Sequence, residues 1–232
     1  MPESPKRFPG RIGDWVIANN HQFIAFNKPG GLAVQSGRNK QLSLRQMGAA
    51  FCRVDLQPIN RIDQPVSGLV LYGKKPSATS RLSELFKSGR IKKTYLAVVG
   101  LGALPESNIL NNYVSIREGK PTSIVDEQTP DARLAKLSYR SIAKGDRYQV
   151  LEIDLETGYK HQIRAQLAAM GFPIRGDRKY GFKRANPGGH IDLHAWKLSF
   201  AHPVSGELVN LEAALPEDKI WEILDSAGKA DL

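Results

Sequence analysis

The chain has 232 residues, enough to bury a substantial core as one large domain or two small ones. Its 41% hydrophobic and 24% charged residues are ordinary for a globular protein, but 33 Lys+Arg against 23 Asp+Glu leave a formal charge of +10. That excess points to a polyanionic partner, nucleic acid or an anionic membrane surface. Cys52 is the single cysteine, which excludes an internal disulfide and a cysteine-based zinc site, and it reads as a small core residue. No stretch approaches the roughly 18 apolar residues of a membrane span. Residues 1–13 carry no apolar run of the kind a secretory signal needs, so a cytoplasmic location is expected.

In chain order, residues 1–13 read as a flexible basic arm and residues 14–232 as a single domain. Short strands are expected at Trp15 to Ile17 and Gln22 to Phe26, joined by Asn19-Asn20-His21. The turn Asn27-Lys28-Pro29-Gly30-Gly31 follows, then extended chain at Leu32 to Val34 and a helix over Gln41 to Cys52. A turn around Asp63 leads into a strand over Leu69 to Tyr72. Ser77 is positioned to cap a helix reaching Lys87, which Ser88-Gly89 ends. Lys93 to Val99 is rich in β-formers. Breakers between Gly100 and Asp131 predict irregular chain around a short strand at Tyr113 to Ile116.

Ala135 to Ala143 and Tyr148 to Leu155 flank Lys144-Gly145-Asp146 as a hairpin. In its second strand Glu152, Asp154 and Glu156 alternate with apolar residues, the pattern of a solvated strand face rather than of metal ligands. Gly158 and Gly171 bracket a helix with Ile163, Leu167 and Met170 facing inward. Strands near Trp196 to Phe200 and Leu208 to Ala213, and a helix opened by Pro216 and carrying Ile220, Trp221 and Leu224, complete the chain. Many strands in hairpin-type connections with few helices predict an α+β fold.

Two windows concentrate positive charge. Lys74 to Lys93 holds seven basic residues against Glu84, and Gly158 to His190 holds seven, including Lys160 and Arg164, against Asp177. Clustering of this kind is the footprint of phosphate-backbone binding. Tyr95, Tyr159, Tyr180 and Phe182 lie in or beside these windows and are of a type that stacks on unpaired bases. His190, His194 and His202 are too scattered for a zinc site, and no P-loop or dinucleotide fingerprint is present.

Asn60-Arg61-Ile62-Asp63-Gln64-Pro65-Val66-Ser67-Gly68 resembles the catalytic motif His-Arg-Leu-Asp-x-x-Thr-Ser-Gly of the large ribosomal subunit pseudouridine synthase A/C type family. Gly158-Tyr159-Lys160-His161-Gln162-Ile163-Arg164 is similar to its Gly-Arg-Thr-His-Gln-Ile-Arg motif, and the run from Gly171 to Gly181 to the continuation. Lys93-Thr94-Tyr95-Leu96-Ala97 resembles its Lys-x-Tyr-x-Ala strand, and Asn27 to Leu32 its Asn-Lys-Pro-x-Gly-Leu turn. The matches keep the family's order over roughly residues 15 to 215.

The resemblance implies the pseudouridine synthase fold, a mixed and mostly antiparallel sheet with a cleft across it, and a catalytic domain without the small RNA-binding domain that often precedes it. It also implies isomerisation of uridine to pseudouridine in ribosomal or transfer RNA, with no cofactor and no metal. Asp63 maps to the nucleophile, whose target, base or anomeric carbon, is left open. Arg164 maps to the cation that keeps that carboxylate ionised, and Tyr95 to the ring packed on the uracil. Arg61 maps to the residue that fills the space of a flipped-out nucleotide, and Ile163 to an apolar pocket residue. Lys93, Lys160 and His161 are expected to bind RNA, and the protein to act as a monomer. Asn60, Val66 and Tyr159-Lys160 depart from the pattern, which implies a change of RNA target rather than of reaction. The rival readings are a metal-dependent nuclease joining Asp63 to Glu152 or Asp154, and an inactive RNA-binding protein that keeps the fold.

Overall fold

A computed structural model describes residue 8, residues 10–37 and residues 41–224. Most of the expected basic arm, residues 1–7 and 9, therefore lies outside the described residues. A 3-10 turn at Ile12–Trp15 leads into β1 (Val16–Asn19), which begins one residue later than the first expected strand, and then into β2 (Phe23–Lys28). Their turn forms because the Asn20 side chain accepts the N–H groups of Gln22 and Phe23. α1 (Leu44–Cys52) starts later than expected: Ser43 caps it, accepting from the Gln46 N–H while the Gln46 side chain accepts from the Ser43 N–H. After β3 (Gln57–Pro58) and β4 (Ser67–Gly73) comes α2 (Pro76–Lys87), which begins at Pro76 with Lys75 as its cap. The expected Ser77 cap gives way because proline, with φ already helical and no N–H to satisfy, suits the first turn.

β5 (Lys92–Gly100) is followed by the largest departure from expectation. The stretch expected to be irregular contains β6 (Ser107–Ser115) and β7 (Ser123–Val125). β6 pairs with β8 (Arg133–Lys144) from Ser107–Arg140 to Val114–Arg133. Pairing along a long neighbour outweighs the weak strand preference of Asn108, Asn111 and Asn112. β9 (Tyr148–Leu155), α3 (Gln162–Ala169), β10 (Leu193–Ala201) and β11 (Leu208–Glu212) follow. The expected last helix is a 3-10 turn, Lys219–Glu222, capped by the Asp218 side chain.

The strands form one sheet in the order β1-β2-β4-β10-β5-β9-β8-β6-β7, with β3 on β4 and β11 on β10. Among the described strands only β4 and β10 pair in parallel. The fold is α+β with a mixed, mostly antiparallel sheet, as the sequence implied. Its centre places four residues in one row: Gly68 of β4 faces Ala195 of β10, Ala195 faces Tyr95 of β5, and Tyr95 faces Ile153 of β9. Gly68 has φ +107°, and a Cβ there would lie 2.3 Å from the Ala195 carbonyl oxygen, so only glycine fits this crossing. Phe26, Leu71, Tyr72, Leu151 and Phe200 are among the buried side chains that hold the sheet's core.

α3 is not the one-sided helix that the spacing of Ile163, Leu167 and Met170 predicted. Gln162 through Leu167 are all buried. Most of its polar side-chain groups are paired within the protein, the condition under which burial is tolerated, although the Gln166 Oε1 atom is buried with no partner. Gln162 donates to the Lys136 carbonyl, and Gln166 donates to Asn112 and to the carbonyls of Leu110 and Ala135. These bonds fix the helix against β6 and β8, and with it the position of Arg164.

Candidate active site

A cleft of about 1100 Å³ opens on the sheet, at the upper end of ordinary ligand pockets. All eight site residues expected from the sequence line it: Arg61, Asp63, Lys93, Tyr95, Lys160, His161, Ile163 and Arg164. Asp63 and Arg61 come from the turn before β4, Tyr95 and Lys93 from β5, and the others from the segment that leads into and begins α3. Asp154 of the rival nuclease reading does not reach the cleft; it accepts a hydrogen bond from Thr94, and Glu152 pairs with Arg140.

The electrostatic centre is Arg164. Its Nε and Nη2 donate to Asp177 at 2.6 and 2.9 Å, a two-pronged bond that fixes the plane of the guanidinium. The third prong, Nη1, thereby points at Asp63 and donates to its Oδ2 at 2.8 Å. Burial works against the Arg164 charge, but the two aspartates outweigh it and raise its pKa above the ordinary value. The ring of Tyr180 lies 4.9 Å beneath the guanidinium. Asp177 and Tyr180 were read in the sequence only as a lone acid and a candidate base-stacking ring. An isolated carboxylate in a strongly basic window is itself a signal for a paired, buried charge.

Behind the Asp63 turn lies a second buried cation. Lys28 donates to the carbonyls of Pro29, Leu32 and Gln64 at 3.0, 2.8 and 3.1 Å. Burial pulls its pKa down to about 7, opposed by the charge of Asp63. Three carbonyl acceptors match the three N–H bonds of an ammonium and exceed the two of a neutral amine, which favours the charged form. Asp63 and Asp177 are thus balanced by Arg164 and Lys28. Gln64 also exchanges bonds with Gly31, tying the turn to the Asn27 to Leu32 loop.

Asn60 and Val66, where the chain departs from the family pattern, also line the cleft, but their contacts are local. Asn60 donates to the Leu69 carbonyl and accepts from the Leu71 N–H, bracing β4. The Val66 N–H closes the turn on the Asp63 carbonyl. At the base of that turn the Ser67 hydroxyl meets Nδ1 of the fully buried His194, whose burial depresses its pKa to about 4 and keeps it neutral.

Tyr95 has its pKa raised by burial and then by the charge of Asp63, so it stays a neutral phenol beside the carboxylate. His161 holds a left-handed backbone, φ 54°, at the start of α3, and its Nε2 lies 3.5 Å from Asp63 Oδ2. Desolvation, which outweighs the pull of Asp63, lowers its pKa to about 4, so the imidazole is neutral near pH 7. Its Nδ1 meets the Tyr180 hydroxyl at 3.0 Å; with that nitrogen as acceptor, the ring N–H faces Asp63. Lys93 lies on the cleft floor rather than on its rim. It is buried, donates to the Glu156 carbonyl, and has its pKa lowered by desolvation. Arg61 and Lys160 stay exposed at the cleft.

The profile of the RNA pseudouridylate synthase family matches residues 22–169, more than half of the chain. The chain belongs to the RNA pseudouridylate synthase family. Among its relatives, the ribosomal large subunit pseudouridine synthase C of Rickettsia felis is 32% identical over 88% of this chain and 68% of that protein. The tRNA pseudouridine synthase C of Vibrio parahaemolyticus is 26% identical over 90% of this chain and 92% of that protein. The solved human RNA pseudouridylate synthase domain containing 1 superposes with a TM-score of 0.74 at 19% identity, over 95% of this chain and 90% of that one, and shares the fold. The family resemblance read from the motifs is thereby established, and with it an isomerase that converts uridine to pseudouridine in RNA. Among the described residues, no helix is long and apolar enough to cross a membrane.

Proposed function

We propose that this pseudouridine synthase isomerises a uridine of ribosomal or transfer RNA, with Asp63 as the nucleophile. The observation that carries the reading is the half-open carboxylate of Asp63, 24% exposed, held on the Arg164 guanidinium while Asp177, 1% exposed, anchors that guanidinium from behind. One carboxylate thus braces the arginine and the other is presented to the cleft. A nucleophile needs that division, since it must be charged, fixed and reachable at once. The relatives of Rickettsia felis and Vibrio parahaemolyticus, a ribosomal large subunit and a tRNA pseudouridine synthase, support the substrate class.

In this reading a uridine flipped from its strand enters between Tyr95 and the α3 segment, and Ile163 closes the apolar side. Arg61, exposed beside the turn, takes the place the nucleotide leaves. Asp63 attacks, the glycosidic N1–C bond breaks, the uracil turns within the cleft, a bond forms from its C5 to the same ribose as the Asp63 carboxylate is released, and the proton lost from C5 is balanced by one gained at N1. The neutral Tyr95 packs against the ring throughout. No atom is gained or lost overall, so beyond positioning and holding charge the cleft has only to pass one proton from C5 to N1.

Asp63→Asn keeps the size and the hydrogen-bonding reach of the side chain but removes the charge. It should abolish pseudouridine formation on unmodified ribosomal and transfer RNA transcripts while RNA binding persists. Normal pseudouridine yield from this variant, measured by base-resolution chemical mapping, would refute Asp63 as nucleophile.

A further inference from the structure

A second ring lies on the cleft wall, apart from Tyr95. Tyr159 lines the cleft two residues before His161, on the α3 side, whereas Tyr95 lines it from β5. The Arg133 guanidinium lies 5.9 Å from the centre of the Tyr159 ring, and Arg133 does not line the cleft, so the cation backs the ring from outside. The segment that carries the ring is held unusually firmly for a loop. The Tyr159 N–H donates to the Gln162 side chain at 3.1 Å, and its carbonyl accepts from the Gln162 N–H. Gln162, buried, is in turn tied to the Thr157 hydroxyl and the Lys136 carbonyl. On the other side the Lys160 carbonyl accepts from the buried Thr122 hydroxyl at 2.7 Å. These bonds leave the aromatic side chain as the free part of a fixed backbone, with the exposed charges of Arg133 and Lys160 beside it.

A ring held on a fixed loop, half-buried, with cations around it, is the arrangement that stacks an unpaired base while its phosphates are neutralised. Tyr95, next to Asp63, is already engaged with the reacting uracil in the proposed function. We propose that Tyr159, backed by Arg133, is the stacking surface for the base that neighbours the target uridine. The inference rests on the RNA-modifying reading of the cleft. Its consequence is that the neighbouring nucleotide must be unstacked from its own strand, so the substrate is unpaired at that position. Specificity then includes an aromatic contact that tolerates any base but rejects a continuous duplex.

The test uses the full chain and two readouts. In the first, KM and kcat for pseudouridine formation are measured on the transcript the wild-type protein modifies. Tyr159→Leu and Tyr159→Ala should raise KM roughly 10-fold, the effect of losing one base–aromatic stack, with kcat within about twofold. Tyr159→Phe should restore the wild-type KM. In the second, 2-aminopurine is placed beside the central uridine of a single-stranded uridine-rich oligoribonucleotide. Wild-type protein and Tyr159→Phe should quench its fluorescence on binding, and Tyr159→Leu should not. Equal KM for Tyr159→Phe and Tyr159→Leu would overturn the inference, as would equal quenching by wild type and Tyr159→Leu, or a fall in kcat at unchanged KM. A wild-type protein that forms no pseudouridine on any ribosomal or transfer RNA transcript would overturn the proposed function instead, and the fluorescence readout would still decide whether Tyr159 stacks.

Discussion

Two buried arginine–aspartate pairs sit close together in the sequence, and only one of them serves the cleft. Arg164 grips Asp177 with two nitrogens, and Arg175 meets Asp192 at 2.6 Å; both aspartate side chains are 1% exposed. The difference lies in the third group. Arg164 passes its remaining nitrogen to Asp63 on the cleft, 2.8 Å away. Arg175 instead approaches Asp218 at 3.8 Å, where His190 also lies within 4 Å of both aspartates. His190, Asp192 and Asp218 could by spacing hold a metal ion, but the Arg175 guanidinium is already the cation among them. The second carboxylate makes the difference: Asp63, 24% exposed, opens onto the cleft, whereas Asp218, 33% exposed, does not line it.

Arginine removal should separate the two pairs most sharply. Arg164→Ala leaves Asp177 buried without its partner and Asp63 without its clamp. It should destabilise the fold by about 3–5 kcal/mol and cut kcat at least 100-fold in whatever protein remains folded, read by denaturant titration and single-turnover assay. Arg175→Ala should cost about 3 kcal/mol through Asp192, which keeps the Asn186 amide at 3.0 Å and the more distant His190 at 3.9 Å, yet leave kcat within a few-fold. An equal loss of kcat in both variants would erase the distinction.

Acid should act on the two regions with opposite sign. His161 is neutral in the fold because desolvation lowers its pKa from 6.5 to about 4. Between those values the unfolded chain binds the proton and the folded chain does not. Its stabilising contribution is therefore complete above about pH 6.5 and disappears as pH falls to about 4, a loss on the order of 3 kcal/mol. Asp192 has its pKa raised by burial, against the pull of Arg175, so folding favours its protonated form and acidification relieves the penalty. His161→Gln should flatten the acid limb of the stability profile, and Asp192→Asn should steepen it. Unfolding midpoints measured across pH 4–7 that move together in both variants would contradict the assignment.

The smallest effect concerns the exposed rim. Lys160→Ala should raise KM about twofold to threefold and lower the slope of log KM against log salt by about one, with stability unchanged, because a solvated charge neutralises a phosphate but braces nothing. A salt slope identical to wild type would place Lys160 outside the RNA path.

The sequence carried the placement of Asp63, Tyr95 and Arg164 well, because each sits in a short run whose turn or strand signal is local. The strands around Lys93 to Val99 and Tyr148 to Leu155 were equally legible, from β-branched and alternating residues. What remained hidden depends on distant partners. β6 is rich in asparagine and becomes a strand only because β8 lies alongside it. Lys28 reads as part of a turn, and its burial follows from the three carbonyls that fold around it, one of them from Gln64. The polar residues of α3 pointed to a one-sided helix, since nothing local announces that Lys136, Leu110 and Asn112 would receive Gln162 and Gln166.

The row from Gly68 through Ala195 to Tyr95 also bears on the order in which the protein can become active. β10 wedges between β4 and β5, yet it is made more than a hundred residues after the Asp63 turn. On the ribosome, the strands that carry Asp63 and Tyr95 emerge early and wait for the one that sets them side by side. The segment that matches the family, residues 22–169, holds both residues but not β10. A nascent chain of that length carries Asp63 and Tyr95 without the strand that joins β4 to β5, so under the proposed function uridine chemistry waits for Leu193–Ala201 to leave the ribosome and close the sheet.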